Sequence, residues 1–215
     1  MSRSVRELLR SRLGIAVIGC ALGCIPARMS EGAALKVSPG GDIKSINRAV
    51  QLAQPGDRIE IAAGVYREDS ILIDKRLEIN GVPGAVVDGA GGGEIITITA
   101  DSVVIQELEL RNSEISYIVD HAAVRVDGAR GCVIRRNVFR DNFFAVYLGK
   151  AVDCMISGNR IIGSRTSEAA SGNGIHLWYC RGITVTGNYV SGHRDGIYFE
   201  FVEQGTVSGN ISEGN

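Results

Sequence analysis

Four segments of the chain, residues 132–137, 154–159, 183–188 and 205–210, superpose without a gap. The asparagines that close them, Asn137, Asn159, Asn188 and Asn210, fall 22, 29 and 22 residues apart. A second set, residues 124–126, 146–148, 175–177 and 197–199, keeps the same three spacings. Two ladders in one register predict coils of about 22 residues, each too short to bury its apolar side alone and stable only when stacked on its neighbours. Each segment alternates and is bounded by Gly, Asn and Asp, the pattern of short strands. Equivalent strands stacked at ~4.8 Å satisfy one another's backbone groups and align their side chains in columns. The expectation is an all-β, right-handed parallel β-helix with two strands per repeat.

Alternation assigns Ile134, Ile156, Val185 and Val207 to the inside and Val133, Met155, Thr184 and Thr206 to the outside. The 29-residue spacing is one ordinary coil plus seven residues, placed as a loop within residues 163–172. Toward the N-terminus, Asp42 is read as the N-cap of a short helix through Ile43, Ile46, Val50 and Ala53 that ends at Pro55-Gly56 and covers the open first coil. Looser coils follow at residues 58–61, 71–79 and 95–110. The repeat then runs to Asn215 with no closing element, which predicts a chain that is the first part of a longer solenoid.

Residues 1–34 differ in kind. Arg3, Arg6, Arg10 and Arg12 precede a short apolar run, and Gly32-Ala33-Ala34 follows, so an export signal is expected over 1–34 and the β-helix over 35–215. The run falls short of the ~20 apolar residues of a spanning helix. Val17-Ile18-Gly19-Cys20 resembles a lipobox, with Cys20 as the residue that would carry lipid. A formal net charge of −1, about −4 once the signal is removed, gives no electrostatic footprint for nucleic acid. Three cysteines then remain, an odd number. Cys132 and Cys154 share an inward column, and Cys180 aligns with Ala129, Ala151 and Val202; all three are expected as buried free thiols.

The candidate chemistry is sparse. An outward column of Arg125, Tyr147, His176 and Tyr198, with Trp178 and Glu200 nearby, forms an expected surface-recognition strip. His176 and His193 are the candidate metal ligands, His193 in a corner column with Asn142, Ser164 and Asn215. Asp120-His121 could serve acid–base work, but no partner acid or base can be assigned from spacing. Neither CxxC nor HExxH occurs, and no catalytic residue is assigned. The four inward asparagines are read as a hydrogen-bonded ladder.

Gly56-Asp57-Arg58-Ile59 followed by Gly64-Val65-Tyr66-Arg67-Glu68 resembles the opening of the carbohydrate-binding and sugar-hydrolase β-helix superfamily. More specifically, the run from Gly172 to Trp178 (GNGIHLW) and the run from Arg194 to Phe201 (RDGIYFEF) resemble the NosD family of nitrous-oxide reductase maturation proteins. That resemblance, over residue 35 to the end, implies a Gram-negative periplasmic accessory protein with no enzymatic activity. Its partners would be an ATP-binding-cassette transporter, a copper chaperone and nitrous oxide reductase, and copper would be bound only transiently. It also implies a parent about twice as long. The alternatives are a carbohydrate lyase, epimerase or hydrolase, and a sugar-binding spacer.

Overall fold

The computed structural model describes residues 32–164, 167 and 171–215. The export-signal segment up to residue 31, Cys20 included, and most of the loop expected at 163–172 lie outside the described residues. Among the described residues no helix is long and apolar enough to cross a membrane.

Every strand pair is parallel, and the strands form three sheets rather than the expected two. The first, eight-stranded, runs from Ala34–Val37 through Val133–Arg135, Met155–Ser157 and Thr184–Thr186 to Thr206–Ser208. The second, seven-stranded, runs from Gly64–Arg67 through Glu109–Arg111, Val138–Arg140, Arg160–Ile162 and Tyr189–Ser191 to Ile211–Glu213. The third, six-stranded, holds Ile71–Ile73, Ile96–Ile98, Ala122–Asp127, Phe144–Gly149, Ile175–Trp178 and Ile197–Glu200. Each full coil visits the sheets in that order, so the fold is a parallel β-helix of triangular plan. The strand missed in the sequence is the one just after each asparagine, where a single inward residue (Phe139, Ile161 or Val190) is too little alternation to read.

The registers agree with the sequence ladders. Ile134 pairs with Ile156, Ile156 with Val185, and Val185 with Val207. These side chains point inward and the first three are fully buried, whereas Val207, on the last coil, is 51% exposed. Between them run the asparagines. Asn137 N–H and Nδ2 both donate to Asn159 Oδ1, Asn159 donates in the same way to Asn188 Oδ1, and Asn188 to Asn210 Oδ1, all at 2.9–3.1 Å. Each Nδ2 also reaches a backbone carbonyl of the preceding coil, as Asn159 does to Ile134 at 2.9 Å. The ladder is thus as expected, and Cys132, Cys154 and Cys180 are buried thiols.

The helix spans Ile46–Leu52, and its N-cap is Ser45, not Asp42. Ile43, expected inside the helix, instead makes a parallel bridge with Val37. The reason is tertiary: Glu68 accepts from Ser45 Oγ and from the backbone N–H groups of Ile46 and Asn47 at 2.7–2.9 Å, which fixes the helix start where those donors point. Ile46, Ala49 and Val50 are buried, and Lys75 Nζ donates to the Val50 carbonyl at 3.2 Å. The helix packs beside Ile71–Ile73, the first strand of the third sheet. It therefore covers that sheet's N-terminal edge, the capping role expected of it.

Candidate functional site

The outer face of the third sheet carries the expected strip. Strand pairing sets Arg125 opposite Tyr147, Tyr147 opposite His176, and His176 opposite Tyr198. At strand spacing such side chains must stack. The Arg125 guanidinium lies 4.1 Å from the Tyr147 ring centroid. Tyr147 and His176 are parallel to within 8° at 4.6 Å, and Tyr198 follows at 5.2 Å.

Outward, however, is not exposed. Tyr147 is 8% exposed and His176 7%, because Phe143, Phe144 and Ala122 form a second apolar cluster with Tyr147 on the outside of the sheet. Phe144 meets both Tyr147 and His176 edge-on. The chain returns against these rings at Gly172, where a Cβ would stand 2.6 Å from the Phe143 carbonyl and 2.7 Å from the Phe144 ring. Of the strip, Tyr198 stays open to solvent. Trp178 pairs across the sheet with Glu200; both are half-buried, with Lys150 over the indole.

The two histidines are separate features. The Asn173 amide donates to His176 Nδ1 at 2.9 Å, so the neutral ring carries its proton on Nε2. Burial lowers the His176 pKa. His193 is fully buried in the corner between the second and third sheets, and burial drives its pKa down to about 4. Its backbone N–H donates to Asn215 Oδ1, while Nε2 has no hydrogen-bond partner among the described residues. Its corner neighbours do what asparagines do there: Asn142 accepts from the Ser113 N–H and donates to the Leu110 carbonyl. Among the described residues no group of three His, Cys, Asp or Glu side chains is arranged to hold a metal ion. The Cys154 thiol is pushed up by its hydrogen bond with Cys132 and by burial, and burial also raises Cys180. These donors do not fit a copper set.

A second site lies one coil before the two sequence ladders. The inward asparagine Asn137 accepts from the Leu108 N–H, 29 residues earlier, and Asn142 from Ser113 at the same separation. That coil also carries seven extra residues, between Glu109–Arg111 and Ala122–Asp127, at the same corner as the 163–172 loop. Carrying the register back by one coil would have shown it. The loop folds beside the third sheet and walls a cleft of about 690 Å³ floored by Leu72, Thr97 and Arg125. His121 finds there the partner that sequence spacing could not assign, with Nε2 at 3.2 Å from Glu114 Oε2. Arg125 is held by Glu94 and by the Asp120 carbonyl. Thr97 donates to the other Glu94 oxygen at 3.1 Å.

The family model described as periplasmic copper-binding protein (NosD) matches residues 59–215, which contain the strip, the cleft and both histidines. The chain belongs to the NosD family. A relative from Pseudomonas aeruginosa, named a probable ABC transporter binding protein NosD, is 32% identical over 198 residues, covering 91% of this chain and 43% of the relative. Another of the same name, from Stutzerimonas stutzeri, is 31% identical over 65% of this chain and 32% of its own length. The chain thus spans less than half the length of these NosD relatives. Among solved structures, a putative glycosyl hydrolase from Parabacteroides merdae superposes with a TM-score of 0.63 at 13% identity, over 84% of this chain and 96% of that one. A rhamnogalacturonan lyase gives 0.56 at 11%, over 80% and 62%. At such identities they attest the β-helix alone, which this NosD-family chain shares with them.

Proposed function

We propose that the chain is the β-helical portion of a periplasmic, copper-related accessory protein. In this reading it works with an ATP-binding-cassette transporter in maturing the copper-sulfur centre of nitrous oxide reductase, as a non-enzymatic docking or delivery component. The match to the NosD family over residues 59–215 carries the reading. The relatives' name, ABC transporter binding protein, supports the transporter as partner. The test is affinity capture with the full-length protein after cross-linking in cells that express nitrous oxide reductase. Recovery of the transporter, the reductase or a copper chaperone is the expected result; recovery of none of them overturns the proposal. Copper titration of the same protein, with His176 and His193 replaced singly, then assigns or removes each histidine as a ligand.

One observation favours a second reading. The cleft beside the third sheet gathers Glu94, Glu114 and His121 within one concavity, the residue types of general acid–base work on a sugar. Release of shortened or unsaturated products from an acidic polysaccharide would place carbohydrate chemistry first.

A further inference from the structure

The loop at 113–121 ends in an apolar tip that nothing in the fold uses. Ile118 is 94% exposed, Tyr117 78%, and Ile115 and Val119 about half. Leaving four large apolar side chains in water across one short loop is unfavourable at ~25 cal/mol per Å², and such patches mark contact surfaces. Ile118 and Val119 also line the cleft, where they face Leu72, itself half exposed on Ile71–Ile73. The apolar walls are therefore set about a shared cavity, not scattered over the surface.

Charge decides what the cavity would accept. Among the described residues lining it, Glu94, Glu114 and Asp120 stand against one permanent cation, Arg125. That guanidinium is already engaged by Glu94 and the Asp120 carbonyl, and stacks on Tyr147. It has little left to offer an anion. The Asp120 carboxylate, in contrast, is exposed and among the described residues makes no hydrogen bond or ion pair. One carboxylate of the lining thus stands without an ion-pair partner among the described residues, beside apolar side chains in need of cover. Charge complementarity selects a ligand that is cationic and apolar at once. The volume, within the ~300–1,000 Å³ of ordinary ligand pockets, suits a few residues of chain rather than a whole domain face.

We infer that the cleft between the 113–121 loop and the third sheet is a docking site for a basic, amphipathic segment of a partner protein. Lysine or arginine meets Asp120, and apolar side chains cover Ile118, Val119 and Leu72. The inference rests on the docking reading above for the source of the segment, but not for its chemistry.

The test is fluorescence anisotropy with the full chain and short labelled peptides of alternating Lys and Leu, Glu and Leu, or Lys and Ser. The Lys-Leu peptide binds, and binding weakens as salt rises; the other two bind at least about tenfold more weakly. Asp120→Asn and the double variant Ile118→Ser with Val119→Ser each weaken the Lys-Leu peptide about tenfold or more. Glu60→Gln, an equal change of charge on the exposed outer side of the first sheet, leaves it unchanged. Both loop variants keep the core columns intact, and their unfolding midpoints report that they fold. Equal binding of the Glu-Leu and Lys-Leu peptides, no binding of either, or indifference to both loop variants overturns the inference. If transporter capture succeeds while the peptide fails, only this cleft is removed; if the peptide binds and capture fails, only the identity of the partner is.

Discussion

Asn159→Ala should be among the most damaging single changes in the molecule for its size. The side chain is fully buried and makes four hydrogen bonds: Oδ1 accepts from the N–H and Nδ2 of Asn137, and Nδ2 donates to the Ile134 carbonyl and to Asn188 Oδ1. Truncation removes all four and leaves the Asn137 N–H, itself buried, without an acceptor. At ~1 kcal/mol net per hydrogen bond, with an added penalty for the orphaned donor, the loss is about 4 kcal/mol. Asn210→Ala removes three comparable bonds, but in a half-buried site on the last coil, where water substitutes, and costs about 1 kcal/mol. Asn159→Asp separates this account from simple cavity formation. It preserves volume and the Oδ1 acceptor, yet turns a second oxygen on the Ile134 carbonyl and Asn188 Oδ1, so at neutral pH it should be at least as harmful as alanine. Urea unfolding followed by far-UV circular dichroism measures all three, and equal m-values confirm that the comparison is valid. An Asn159→Ala cost below about 1 kcal/mol, or no larger than that of Asn210→Ala, would refute the ladder energetics.

Three further expectations follow from particular groups. His193 titrates near 4 in the fold against about 6.5 in the unfolded chain, so the unfolded state binds more protons between those values. Its contribution is intact above about pH 6.5 and declines as pH falls toward 4, by about 3 kcal/mol in total; His193→Asn should flatten that part of the stability–pH curve and, by repeating the Asn142 pattern, raise stability at neutral pH. Glu68→Ala leaves the N–H groups of Ile46 and Asn47 and the Ser45 hydroxyl without their acceptor, and should cost about 1–2 kcal/mol in thermal or chemical unfolding, with loss of hydrogen-exchange protection centred on Ile46–Leu52. Cys132, Cys154 and Cys180, at most 3% exposed, should resist alkylation in the native protein and react in denaturant, as mapped by peptide mass.

How far the sequence could be read depended on how many positions each element offers. The first and third sheets were legible because several residues of each strand recur in register, as in Ile134, Ile156, Val185 and Val207. In the repeated coils the second sheet offers one inward residue per strand, as in Phe139, Ile161 and Val190, and hid behind the asparagine before it. Asp42 and Ser45 are both good caps by composition; Glu68, more than 20 residues away, chose between them, and local sequence holds no trace of that. Alternation correctly turned Tyr147 and His176 outward, but it says nothing of what lies outside, and Phe143 and Phe144 made a buried cluster of what was read as an exposed strip. The loop that carries Glu114 and His121 was within reach, since locating it required only extending the asparagine register back to Leu108; the contact between the two was not, because it depends on how the loop folds.

The asparagine ladder also has a direction. Leu108 donates forward to Asn137, Asn137 to Asn159, Asn159 to Asn188 and Asn188 to Asn210, so each coil's backbone N–H waits for an acceptor that the next coil supplies. A chain emerging N-terminus first therefore always carries at its growing edge one donor that only water can meet. A coil is locked only when its successor arrives. Assembly of the solenoid is in this sense vectorial: the finished part is a template, and the free energy of closing each turn is released one turn late.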